Sequence, residues 1–123
     1  MSKLSKLIGI NINLTALFHR LDPKGLAQHV LDNLKPALIQ TVNRDIAKVP
    51  DNISIDVAKD QIVGNISGSL YGALGHNPLL LAAGKLLIAD LAAHMGSIRA
   101  IDARSTKAQA MDWIDARIQG ARL

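Results

Sequence analysis

Hydrophobic positions divide the chain into segments of different period. Leu26, Val30, Leu34, Leu38, Val42 and Ile46 recur every four residues. Each such step overshoots a helical turn by about 40°, so the stripe winds around the rod and no single flat partner covers it. Pro36 lies in its middle, where proline removes one helical hydrogen bond and crowds the preceding turn. Residues 23–48 therefore predict two helical arms that meet different neighbours. Asp22-Pro23 opens them, as an N-cap residue followed by a first-turn proline. Val49-Pro50-Asp51-Asn52 closes them.

The period then changes. Ile53, Ile55 and Val57 alternate with Ser54 and Asp56, Lys59-Asp60 is a turn candidate, and residues 61–67 are again rich in β-branched side chains. A period of two predicts a β-hairpin at about 53–67. A lone hairpin is marginal in water, so it needs a helix face or a further strand. Residues 8–14 alternate in the same way and are a candidate third strand. Residues 3–21 also carry a helical face through Leu4, Leu7, Ile8, Leu14, Phe18 and Leu21. The expectation is a helix at about 14–21, with residues 3–13 open between helix, strand and tail.

The most apolar part of the chain is 62–95, where only Lys85 and Asp90 carry a full charge. Gly64, Gly68 and Gly72 open it at four-residue spacing. Such spacing lets membrane helices touch, but in a water-soluble chain these glycines more often mark a bulge, a turn and a loop. Asn77-Pro78 is a second helix start. Leu87, Leu91, Met95, Ile98 and Ile101 form a stripe from there, so the helix is expected over 77–95 and on to about 104. A last helix begins near Ser105 or Thr106, with Met111, Ile114 and Ile118 on one face. The fold class that follows is α+β, mainly helical. It has four or so helices around a nearly all-apolar central helix, plus the hairpin. Residues 1–123 form one domain, with 1–12 as a candidate tail or arm.

Composition narrows the class. At 123 residues one domain is the simplest reading, and it can bury a core without staples. There is no cysteine, which removes disulfides and thiol chemistry. Phe18, Tyr71 and Trp113 are the only aromatic residues, so the core is aliphatic. Every acidic residue is Asp, for which there is no physical account. The net charge of +4 is spread along the chain. Lys3 and Lys6 precede an apolar run, but Asn11 and Asn13 interrupt it and no clean small-residue cleavage site follows, so an ordinary first element is expected rather than a signal peptide.

Motifs for chemistry are weak. Asp90 and His94 share a helical face as a two-ligand metal candidate, which a local polar contact explains as well. Gly84-Lys85 resembles the end of a phosphate loop, yet position 79 is Leu where glycine is required and Leu86 replaces the Ser or Thr. Ser67, Ser69 and Tyr71 lie near His76 without an elbow motif or an orienting acid. Asp112 and Asp115 read as a solvated helix face. Arg99, Arg104, Lys107, Arg117 and Arg122 are interleaved with Asp102, Asp112 and Asp115, and only Trp113 offers a stacking platform, so nucleic-acid contact is expected to be weak at most.

The sequence thus points to a non-enzymatic structural or assembly subunit with no catalytic residue, no cofactor and no metal. It is expected to self-associate as a homo-oligomer or to dock into a larger protein assembly, for which a virion or tail-type particle is a fitting setting. Interface candidates are Leu79, Leu80, Leu87, Leu91, Met95, Ile98, Trp113 and Ile114. A membrane-associated protein using 1–10 and 62–95 is the alternative. Against it, the unbroken run Leu79–Ala93 is shorter than the roughly 20 residues of a bilayer span, and Lys85 and Asp90 fall near its centre. A small nucleic-acid-binding or regulatory module using the C-terminal arginines is the second alternative.

Overall fold

The structure, a computed structural model, describes residues 22–123. The expectations for 3–21, including the helix at 14–21, the third strand and the tail, lie outside the described residues. Four α-helices follow in order: α1 (Pro23–Ala47), α2 (Ile55–Leu74), α3 (Pro78–Ser97) and α4 (Ala103–Gln119). There is no strand among the described residues.

The β-hairpin expected at about 53–67 is overturned. Those residues belong to α2, which starts at the N-cap Ser54, whose side chain accepts from the Val57 amide. Ala58, Ile62, Ile66, Leu70 and Leu74 line its buried face, none more than 4% exposed. The alternation of Ile53, Ile55 and Val57 is local and only a few residues long. The four-residue spacing of the buried line runs the whole length of the helix and buries far more apolar surface, so it wins. Lys59-Asp60 makes no turn, and Gly64, Gly68 and Gly72 all sit inside the helix.

Residues 23–47 form one helix, not two arms, with Pro36 within it and exposed. The winding stripe is accommodated by a change of register. Ala27 and Leu31 are buried in the first half, and Leu38, Val42 and Ile46 in the second. Val30, expected in the stripe, is 36% exposed. After α1, the connection is held down from α4: Lys107 Nζ donates to Val49 O at 2.6 Å and to Asp51 Oδ1 at 2.9 Å.

The caps at Asp22-Pro23 and Asn77-Pro78 form as the residue types predict. Asn77 accepts from the amides of Leu79 and Leu80 at 2.9 and 3.2 Å. The helix from Pro78 stops at Ser97 and does not reach 104, because Ile98 turns extended at ψ 136°. The last helix starts two residues earlier than the pattern predicts. Asp102 caps it, accepting from the Ser105 amide at 2.8 Å while the Ser105 hydroxyl takes the Asp102 amide. That hydrogen bond from the Ser105 backbone, with the one from its hydroxyl, holds the Asp102 carboxyl below its ordinary value of 3.8.

The depressed value has a sign. Stability from this cap is complete above the ordinary carboxylate value and is lost as pH falls through the folded one. Asp102→Asn keeps a side-chain cap acceptor but cannot titrate. Urea midpoints of the variant are therefore expected to fall less than those of the parent when pH is lowered past 3.8. Parallel acid limbs would refute the assignment.

α4 runs antiparallel to α1, and α3 runs antiparallel to α2. Gln28 at the start of α1 meets the chain end, its Oε1 accepting from the Leu123 amide at 2.7 Å, while Asn43 reaches Asp115 at 3.4 Å. Lys59 of α2 reaches Ile98 O beyond the end of α3. The central element is α2, which packs on all three others, whereas α3 lies chiefly against α2 and only lightly against α1 and α4. This corrects the expected layout, in which the nearly all-apolar helix stood at the centre.

Candidate assembly surface

The site begins with how α3 meets α2. Leu80, Gly84, Ile88, Leu91 and Met95 form the buried line of α3. Gly84 allows the closest approach: a Cβ there would stand 3.0 Å from Leu74 Cδ1. Burial of this line leaves the opposite face outward, and apart from Asp90, which is exposed there one turn after Leu86, that face is also apolar. Leu79, Ala82, Leu86, Ala89, Ala93 and Gly96 are all exposed. Leu86 is 69% exposed and Leu79 41%. By length and composition α3 can cross a bilayer, yet only 28% of its most apolar window is buried within the chain. A helix apolar on all sides is ordinarily covered on all sides.

The outward side of α2 is different in kind. Gly64, Gly68 and Gly72 lie opposite its buried line and are exposed, and a Cβ on any of them would meet nothing within 4 Å. Tyr71 stands beside them, 41% exposed. Two adjacent antiparallel helices thus present a leucine and alanine face and a nearly bare backbone face.

The expected interface residues divide. Leu80, Leu91, Met95 and Ile114 lie together in the chain's own core. Leu87, Ile98 and Trp113 are half-buried and pack against it. Leu79 alone of the eight is on the outward face. Leu86, the most exposed leucine of α3, is the residue the sequence pattern misses. Leucines occupy both faces of this helix, so hydropathy by itself does not say which face turns in. The signal that does is Gly84, the one small residue on the side that needs close approach.

Polar groups beside this surface are engaged with one another. Asp90 accepts from Arg117 of α4 at 2.5 Å. The Arg117 guanidinium lies 4.9 Å from the Trp113 ring centre, and His94 stacks on the same ring at 4.9 Å with 13° between planes. The indole thus contacts both a cation and an imidazole, and the His94–Trp113 stack and the Asp90–Arg117 pair join α3 to α4. Asp90 and His94 are thus both engaged with α4. No group of three or more His, Asp or Glu able to hold a metal occurs among the described residues. Ser69 donates to Asp45, and Asn65 donates to the Asp45 carbonyl, joining α2 to α1. His76 is exposed, in the connection between α2 and α3. Of the C-terminal cations, Lys107 and Arg104 both reach Asp51, at 2.9 and 3.8 Å, and Arg117 holds Asp90. That pairing lowers the potential a phosphate backbone would meet.

No protein-family model, curated protein or solved structure matches this chain.

Proposed function

We propose that the chain is a non-enzymatic assembly subunit, which associates with copies of itself, or docks into a larger protein complex, through the outward face of α3. The observation that carries this reading is the two-sided apolarity of α3. Its inner line is packed on α2, while Leu79 and Leu86 remain 41% and 69% exposed among alanines. Burying such a face is favourable at about 25 cal/mol per Å² of apolar surface, and the small side chains around Leu86 allow a second helix to approach closely. Gly64, Gly68 and Gly72 give the neighbouring helix α2 a low-relief exposed side of its own.

Lipid is the second reading, and one observation favours it: α3 is 20 residues long and apolar enough to cross a bilayer. Lys85 and Asp90 oppose it, since each charge costs roughly 3 kcal/mol at a bilayer centre on insertion scales. Size-exclusion chromatography with light scattering in detergent-free buffer, run beside liposome flotation, separates the two. The assembly reading expects a mass above that of one chain and no flotation. A well-behaved monomer at micromolar concentration defeats it, and flotation of intact protein moves the case to lipid.

A further inference from the structure

The outward residues of α3 keep a register. Leu79, Ala82, Leu86, Ala89, Ala93 and Gly96 are all exposed, and the steps between them alternate between three and four residues. That alternation is the seven-residue repeat of a helix that coils, with a left-handed twist, about a second helix. Leu79, Leu86 and Ala93 hold the first seam position of the repeat, and Ala82, Ala89 and Gly96 the second. With a small side chain throughout the second set, two such helices can approach to about 8 Å between axes. The seam lies opposite the line that packs on α2, so the rest of each bundle stands behind its own α3.

Charge says how a second helix is oriented. Lys85 and Asp90 are the only Lys, Arg or Asp of α3, and both are exposed. They stand about 140° apart around the helix axis, one on each edge of the seam: Lys85 just before Leu86, Asp90 just after Ala89. When two helices coil in parallel, opposite edges meet, and a residue at the position of Lys85 faces the partner's residue five places further on. That residue is Asp90, and a two-fold axis makes the contact twice. When two helices coil antiparallel, like edges meet, which puts lysine with lysine and aspartate with aspartate. Within the chain Arg117 engages Asp90 Oδ2, which leaves Oδ1 for a second cation.

We propose that the occupant of the outward α3 face is a second copy of this chain, the two α3 helices coiling in parallel about a two-fold axis with Lys85 of each beside the partner's Asp90. The proposal rests on the reading of this face as an assembly surface and adds its occupant and its orientation. The antiparallel alternative buries the same apolar residues but loses both ion pairs, so charge alone separates the two. Exposed pairs are individually weak, yet like charges along both edges act as a bias against the wrong orientation.

The chain has no cysteine, so introduced ones report without background. Ala82 and Ala93 are exposed seam residues at equal distances from the middle of α3. In the parallel pair, Ala82→Cys and Ala93→Cys each meet their own kind, while positions 82 and 93 of different chains stand about 16 Å apart along the axis, beyond the reach of a disulfide. In the antiparallel pair, 82 meets 93. Each full-length variant, under mild oxidation, is expected to give a disulfide-linked dimer at several times the yield of Asp112→Cys, an exposed position on α4 that measures random collision. The two variants mixed before oxidation should bridge like with like, read as cross-linked peptides by mass spectrometry. Predominance of the 82–93 bridge overturns the parallel pairing and leaves the assembly face standing. Yields no higher than that of Asp112→Cys, with light scattering still above the mass of one chain, overturn the pairing and move assembly to another contact. A monomeric parent defeats both readings. Lys85→Asp is a second measurement, since it leaves the seam intact and sets like charges opposite each other twice. It is expected to weaken the dimer about tenfold at low salt and less at high salt, with helicity kept. Equal affinities of parent and variant at low salt overturn the proposal.

Discussion

If the outward face of α3 assembles the protein as proposed, Leu86→Lys is expected to give a monomer whose fold is intact. The side chain is 69% exposed in the isolated chain, so the substitution removes no core contact, and surface changes of this kind stay within about 0.5 kcal/mol of the parent. In an interface the same residue is costly to lose. Burying a leucine contributes about 1.5–3 kcal/mol, and a lysine in its place must be desolvated or snorkel out. In a two-fold dimer the same patch is used by both subunits, so the loss counts twice. At about 1.4 kcal/mol per factor of ten, a weakening of at least about a hundredfold follows. Sedimentation velocity across a dilution series reads it directly. Leu86 also lines a cleft of about 360 Å³ where the end of α2, the start of α3 and the end of α4 meet α1, so a second variant, Ala93→Lys, places the charge on the outward face away from that cleft. Both variants should dissociate. An unchanged mass for both would end the proposal that this face assembles the protein, whereas dissociation by Leu86→Lys alone would assign the contact to the cleft rim.

What could be read from the sequence was decided by how local the controlling interaction is. Asp22-Pro23 and Asn77-Pro78 are complete signals within two residues, and both caps form as expected. The start of α4 is equally local but less obvious. Asp102 pairs with Ser105 where the familiar pattern has Glu or Gln in that place, so the pattern placed the start too late. The hairpin expectation failed for a different reason. Ile53, Ile55 and Val57 do alternate, and three glycines do weaken a helix, but each is a preference of fractions of a kcal/mol to about 1 kcal/mol per residue. Burial of Ile62, Ile66, Leu70 and Leu74 against three other helices outweighs them, and that burial exists only in the assembled fold. The outward face of α3 was half visible. Its apolar composition is plain from the sequence, but the choice of inner face depends on Leu74 meeting Gly84 across two helices. Hence Leu80 and Leu91 turn into the core while Leu86 turns outward, a division that hydropathy along the chain does not make.

The glycines of α2 supply the other large effect, and its sign is the reverse of most substitutions. Gly64, Gly68 and Gly72 lie inside a helix, and an added Cβ at each would meet no atom within 4 Å. Glycine in a helix interior is less stable than alanine by about 0.5–1 kcal/mol, chiefly because the unfolded chain gives up more freedom. The triple alanine variant should therefore be more stable by about 2 kcal/mol, the three sites being independent and exposed. For a domain of this size that is a rise in Tm on the order of 10 °C. A hairpin or loop at these positions predicts no such gain, so calorimetry of the triple variant tests the helix itself. Measuring it in the Leu86→Lys background reads the subunit without association. Repeating it in the parent background then asks what the glycine stripe faces. If a partner helix rests on that stripe, three added methyl groups push it away, and the affinity falls although the subunit is stabilised. If the contact is confined to α3, the gain in stability carries over with affinity unchanged. The difference between the two backgrounds is a coupling energy, and it locates the edge of the assembly surface on α2 or short of it.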